Sequence, residues 1–209
     1  MYIPPHFEET NPIVITAILT DAPLACVVAQ TDSGLIANHL PLLPSPKGDL
    51  IGHVALANDM HGLIEADQEV LAIFRRTDAY VSPNFYPTKQ DHHRHVPTWN
   101  YEVAHLYGRI SFQHDDHAKR AAVGLLTRSH EHRLNGADAW RMADAPKDYL
   151  DQMLGGIVAF RIAVTRILAK SKISQNRAPI DYAGTVAGLE ASGHSGMAAR
   201  MTAQGAKPD

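Results

Sequence analysis

The chain has 209 residues, 45% hydrophobic and 20% charged, with 19 Lys and Arg against 22 Asp and Glu for a formal charge of −3. That is the balance of an ordinary globular chain long enough to bury its own core. It excludes a disordered chain, a collagen-like repeat and the strongly basic footprint of a dedicated nucleic-acid binder. Histidine stands out with 13 residues, so the net charge swings positive as pH falls through about 6.5, the ordinary imidazole pKa. Residues 1–9 lack the basic and apolar regions of a signal peptide, and no stretch reaches the ~18 apolar residues of a membrane span. The one cysteine, Cys26, lies in an apolar run and reads as a small buried hydrophobe. The expected setting is the cytoplasm, without disulfides.

In chain order, a short helix is expected over residues 11–20, where Ile13, Ala17 and Ile18 share a face, Asn11 can cap and Pro12 suits the first turn. Strands are expected over 24–29, 35–43 and 50–57, joined by turn chemistry at 30–34 and 45–49, which together make an antiparallel meander. Further strands are expected over 69–74 and 79–82, then a long polar loop over 83–96, a long strand over 99–112, and another over 157–168, where Phe160, Ile162 and Val164 alternate with Arg161, Ala163 and Thr165. Helices are expected over 117–132, capped by Asp115 and Asp116, over 144–154 and over 180–190. Residues 1–190 read as one domain, and 191–209, rich in Gly, Ala and Ser, as a tail that is a loose helix or frayed. At least six strands with short connections give an α+β chain, a β-barrel or sandwich with helices packed outside it.

The sequence holds no Gly-x-Gly-x-x-Gly after a strand, no Walker loop, no His-Glu-x-x-His, no cysteine pair and no Gly-x-Ser-x-Gly elbow. His92, His93 and His95, His114 and His117, and His130 and His132 read as solvated loop and helix-end residues; neighbours on a helix point about 100° apart, so His130 and Glu131 share an ion poorly. No metal is expected.

Three segments are more polar than a core requires: 52–58, with His53 and Asn58; 79–89 running into 96–101, with Lys89; and 170–177, with Lys172 and Arg177. Rings, hydroxyls, amides and cations beside strand ends suit a ligand with a flat apolar body and an anionic tail. Flavin mononucleotide (FMN) has that form, its phosphate calling for cationic and hydroxyl donors. A nucleotide or another phosphorylated ligand satisfies the same groups. The plainer reading makes Phe85, Tyr86 and Trp99 core or interface aromatics and Ser174 a helix N-cap.

Over most of its length the sequence resembles the PaiB family, described as FMN-binding negative transcriptional regulators. The resemblance rests on Met1-Tyr2-Ile3-Pro4-Pro5-His6-Phe7, His39-Leu40-Pro41-Leu42-Leu43, the segment 52–58, Tyr80-Val81-Ser82-Pro83, Val96-Pro97-Thr98-Trp99-Asn100-Tyr101, His105 with Gly108, and Lys172-Ile173-Ser174-Gln175-Asn176-Arg177. It implies an FMN-binding split β-barrel, antiparallel and Greek-key-like, with peripheral helices, and a homodimer with FMN between subunits. It carries FMN contact onto His53, Asn58, Ser82, Tyr86, Lys89, Thr98, Trp99, Asn100, Lys172, Ser174, Gln175 and Asn176, with Lys89 and Lys172 for phosphate or ring-edge charge and Tyr86 and Trp99 for ring or ribityl packing. The sequence departs from the family's pattern at Arg75-Arg76-Thr77-Asp78, where Gly-Pro is common, at Phe85, where Trp is common, in the His-rich 91–95, and at Tyr182, where an arginine is expected.

Two functions follow from that resemblance. One is a regulator that represses transcription, with DNA as partner; the sequence shows no helix-turn-helix with a basic recognition helix, its best basic face being that of Lys119, Arg120, Arg128 and Arg133. The other is a flavin-dependent oxidoreductase using a reduced nicotinamide, for which the flavin itself supplies the redox chemistry. No catalytic residue is assigned; His53 and His105 are the proton donors to test, against the plainer reading of satisfied barrel histidines.

Overall fold

A computed structural model describes residues 1–205. The elements in chain order are α1 (Pro12–Asp21), β1 (Leu24–Thr31), β2 (Gly34–Pro41), β3 (Leu43–Pro44), β4 (Leu50–Ala55), α2 (Met60–Leu63), β5 (Glu69–Val81), α3 (Lys89–His92), β6 (Thr98–Gln113), α4 (Asp116–Asn135), α5 (Lys147–Gly155), β7 (Ile157–Lys172), α6 (Pro179–Ala191) and α7 (Ser195–Gln204). The caps are those the sequence expects: the Asn11 side chain accepts the Ile13 N–H at 2.9 Å, and Asp115 accepts that of Ala118 at 2.9 Å.

The seven strands form one sheet in the order β2-β1-β5-β6-β7-β4-β3. Its edges are β2 and β3, and only Leu42 separates them in sequence, so the chain draws the two edges together and the sheet curls into a barrel. The expected meander is corrected here. β1 and β2 form a hairpin, but β4 pairs antiparallel with β7, from Leu50 opposite Ile162 to Ala55 opposite Ile157, and with β3. Short turns predict sequential pairing; the break at Leu42, which is fully buried, sends the chain to the far edge instead.

Two compact units divide the chain, one of Leu19–Phe74 and His105–Ile167, the other of Met1–Ile18, Arg75–Ala104 and Leu168 onward. The first is the barrel. Its core is Ala25, Val27, Leu42, Leu50, Val54, Phe74, Leu106, Ile110, Phe160 and Ile162. Phe112 and Phe160 meet edge to face at 6.1 Å. α4 lays Ala122 and Leu126 inward and pairs Arg120 with Asp151 of α5.

The second unit has its own core of Ala79, Ile173, Tyr182, Leu189, Met197, Ala198 and Met201, drawn from β5, the end of β7, α6 and α7. Residues 195–204, expected as a loose helix, are helix α7 with Met197 and Met201 buried; residues 206–209 lie outside the described chain. β5 is one strand where the sequence suggests two: Arg75 pairs with Asp78 and Arg76 with Glu102, so the polar run stays extended with its charges matched. The helix expected over 144–154 begins at Lys147, because a 3-10 turn at Met142–Asp144 precedes Pro146.

Candidate functional site

The second unit gathers ten of the twelve residues carried over from the resemblance, Ser82 through Asn100 and Lys172 through Asn176. Lys170 and Lys172 sit two residues apart at the end of β7, on one face of the strand. The Lys172 ammonium donates to the Thr98 hydroxyl and, at 2.8 Å, to the Trp99 carbonyl at the start of β6. Lys170 is buried, donates to the Tyr2 carbonyl at 3.3 Å, and lies over the rings of Tyr2, Phe7 and Tyr101 at 5.7, 5.9 and 5.2 Å. The Arg177 guanidinium lies 4.8 Å over the Tyr86 ring. Burial first, then the charges of Lys170 and Arg177, hold the Lys172 pKa below the usual lysine range. Among the described residues no carboxylate forms an ion pair with Lys170, Lys172 or Arg177. Three cations that repel one another, with a hydroxyl beside them, suit an anion.

The chain from 82 to 98 borders that site. Ser82 caps the 3-10 turn Pro83–Phe85, its hydroxyl accepting the Asn84 N–H at 3.2 Å. Lys89 bonds the Asn84 side chain and stays near solvent. Trp99 is 52% exposed and meets Tyr80 edge to face at 5.9 Å, which leaves an aromatic face open. Tyr86 is 1% exposed, its ring 4.7 Å from that of His95. A ring so enclosed packs against the Arg177 guanidinium. The Tyr86 hydroxyl is buried, and burial is the first cause of its raised pKa, opposed by the nearby Arg177 guanidinium, so it stays a phenol.

Asn100, Ser174 and Gln175 face inward. The Asn100 amide and the Ser174 hydroxyl bond each other at 2.9 and 3.1 Å, and Gln175 accepts the Ile173 N–H at 2.8 Å while donating to the carbonyls of Ser171 and His6. Ser174 takes a left-handed φ of 63° in the turn before α6 instead of capping that helix, whose N-cap is Ala178. These residues brace the turn that presents Lys172 and Arg177. Asn176 is exposed.

His53 and Asn58 belong to the barrel unit. Asn58 donates to Asn38 at 2.9 Å and accepts the Met60 N–H at 3.1 Å, which starts α2. The Nδ1 atoms of His53 and His105 are buried without a partner among the described residues, and burial lowers both pKa values. Both imidazoles are neutral at pH 7 and are poor acids there. Among the described residues no group of three His, Cys, Asp or Glu could hold a metal, and none of their helices is long and apolar enough to cross a membrane.

Sequence reasoning missed two things. Lys170 is the third cation of the site; the Lys-x-Lys alternation ending a strand was its signal. Asp181, buried to 3% exposure, receives the Thr88 N–H at 3.2 Å and its hydroxyl at 3.0 and 2.8 Å, with His95 Nε2 at 3.6 Å. Thr88 lies 93 residues away, beyond any local pattern.

Residues 1–166 match a family described as "Putative FMN-binding domain". The chain is 35% identical over 193 residues to "Protease synthase and sporulation protein PAI 2" of Bacillus subtilis, with 91% of this chain and 89% of that protein covered. Among solved structures it is similar in fold to a FAD and heme binding protein from Mycobacterium smegmatis, with a TM-score of 0.59, 17% identity, and coverage of 79% of this chain and 73% of that one. It is also similar to a chain from Bacteroides thetaiotaomicron described as a "putative 5-nitroimidazole antibiotic resistance protein", with a TM-score of 0.57, 15% identity, and coverage of 78% and 85%. At such identities the two structures bear on the fold alone.

Proposed function

The chain belongs to the "Putative FMN-binding domain" family, with a PaiB-type relative and FMN as its cofactor, and we propose that it holds the FMN phosphate at Lys172, Thr98 and Arg177. The observation that carries this reading is the trio of Lys170, Lys172 and Arg177 without a carboxylate partner among the described residues. A phosphate carries ≈ −1.5 to −2 charge at pH 7 and accepts several hydrogen bonds. It relieves the repulsion that depresses the Lys172 pKa and accepts from both ammonium and hydroxyl. The exposed Trp99 ring supplies an apolar face for the isoalloxazine, and Lys89 a further cation near solvent. Asn100, Ser174 and Gln175 act behind these groups, holding the turn at 173–177 in shape. On this reading a second copy covers the exposed Trp99–Tyr80 pair.

Bound flavin supplies hydride and single-electron transfer. The protein's part is to bind the phosphate, to orient the ring and to exclude water from one side of it. Neutral His53 and His105 are fit to accept a proton rather than to donate one at pH 7. The regulatory role implied by the resemblance finds little support on α4. Of its basic face, Lys119 is buried and Arg120 is paired with Asp151, which leaves Arg128 and Arg133 exposed, the latter donating to the Thr20 carbonyl at 2.6 Å.

The test is titration of purified protein with FMN, followed by reduced-nicotinamide oxidation and by DNA binding against salt. A perturbed flavin absorbance at saturation supports the site, and an unperturbed spectrum overturns it. Turnover without DNA affinity favours the oxidoreductase; a steep salt slope on DNA without turnover favours the regulator.

A further inference from the structure

We propose that one face of α6, formed by Asp181, Gly184 and Gly188, is a seat that positions the 82–98 segment for the flavin phosphate. This rests on the phosphate reading above and goes beyond it by assigning positioning residues that touch no ligand.

The three positions are spaced i, i+3 and i+7, so they share one face of the helix. Each meets the 82–98 segment in a different way. At Gly184 a Cβ would lie 2.3 Å from the Phe85 carbonyl oxygen and 2.5 Å from Pro87 Cδ; at Gly188 it would lie 2.3 Å from the Phe85 ring. Real Cβ atoms do not approach so closely, so only glycine lets the segment lie directly on the helix. Each glycine inside a helix costs roughly 1 kcal/mol against alanine, and here the close approach is what that cost allows.

Asp181 fixes the register of the same segment. Its buried carboxylate has no Lys or Arg ion pair among the described residues. It is held by the backbone N–H and the hydroxyl of Thr88, and its place in the first turn of α6 faces the positive end of the helix dipole. The Thr88 hydroxyl hydrogen goes to Asp181, so the same oxygen accepts from His95 Nε2 at 2.8 Å. His95 therefore carries its proton on Nε2, and one hydroxyl ties Thr88, His95 and the helix together. Lys89 follows Thr88 directly and Thr98 lies three residues past His95. A buried carboxylate is expensive unless satisfied, and this one is spent on the segment that carries Thr98, one of the proposed phosphate contacts, together with Lys89.

The experiment compares FMN with riboflavin, which lacks the phosphate, by flavin fluorescence titration, and follows amide hydrogen exchange of residues 83–98 in the ligand-free protein. The variants are Thr88→Val, Asp181→Asn and Gly184→Ala, with Thr88→Ser as the conservative control. The seat predicts faster exchange in the first three variants and a roughly tenfold fall in FMN affinity, corresponding to about 1.4 kcal/mol. Riboflavin affinity should be little changed, and Thr88→Ser should bind as the parent does. A loosened core would weaken both flavins alike, so equal losses overturn the seat. So does unchanged FMN preference in Thr88→Val and Gly184→Ala. If Asp181→Asn fails to fold, those two variants still decide, because Gly184→Ala improves helix propensity while displacing the segment. Parent protein that binds the two flavins equally overturns the phosphate reading itself, a result distinct from preference retained in the variants.

Discussion

The Lys172 ammonium is partly buried beside two other cations, and its pKa is lowered by that burial and by Lys170 and Arg177. Phosphate binding restores the charge, so the free protein takes up a proton on binding wherever Lys172 is partly neutral. FMN affinity should therefore fall as pH rises through the lowered Lys172 pKa, earlier than an ordinary lysine near 10.4 would dictate. The phosphate itself is already dianionic above about pH 7, so it adds no slope there. Binding isotherms across alkaline pH check this, and Lys172→Arg should flatten the profile because arginine stays charged. Lys172→Ala should weaken FMN by about 10- to 150-fold, the worth of a charge-assisted hydrogen bond of roughly 1.5–3 kcal/mol. Lys89→Ala should cost less, since its ammonium lies near solvent. Equal affinity in Lys172→Ala and the parent would remove Lys172 from the site.

Among the elements, β4 shows how tightly the barrel is filled. A Cβ at Gly52 would lie 2.4 Å from Phe160 and 2.8 Å from Leu42, both fully buried. Gly52→Ala should destabilise the fold by about 1–3 kcal/mol through overpacking, measured as a lower urea midpoint. The next residue, His53, has a pKa lowered by burial. The folded state thus binds that proton less readily than the unfolded chain. Its contribution is fully present above about 6.5 and is lost as pH falls through the lowered value. Urea midpoints should decline on the acid side of neutrality, and His53→Gln should reduce that decline. The caps at Asn11 and Asp115 and the inward stripe of α4 were legible because they depend on residues a few places apart. The pairing of β4 with β7 was not, because local turn chemistry does not say which edge a chain reaches after Leu42. The 93-residue reach from Asp181 to Thr88 was hidden for the same reason.

For the molecule as a whole, the second unit is tied to its C-terminal helix by one interior carboxylate. Glu102 is fully buried, accepting from Arg76 at 3.1 Å, Arg200 of α7 at 2.7 Å and Ser171 at 3.1 Å. Arg200→Ala leaves that carboxylate short of a partner and should cost about 3–5 kcal/mol, the usual loss on breaking a buried pair. A thermal melt checks it, and a change under about 1 kcal/mol would place Arg200 outside the network. The family and the α+β split barrel were legible because the resembling segments run in one order along the chain. Which of the carried-over residues are enclosed was not, since Tyr86, Asn100 and Gln175 turn inward although their types suit binding. The most direct test of the anion site is calorimetric titration of the parent and of Lys172→Ala with FMN and with riboflavin. The parent should prefer FMN by at least about tenfold, the worth of one charge-assisted bond, and Lys172→Ala should lose most of that preference. A parent that binds both flavins with equal affinity would overturn the assignment of Lys172, Thr98 and Arg177 to the phosphate.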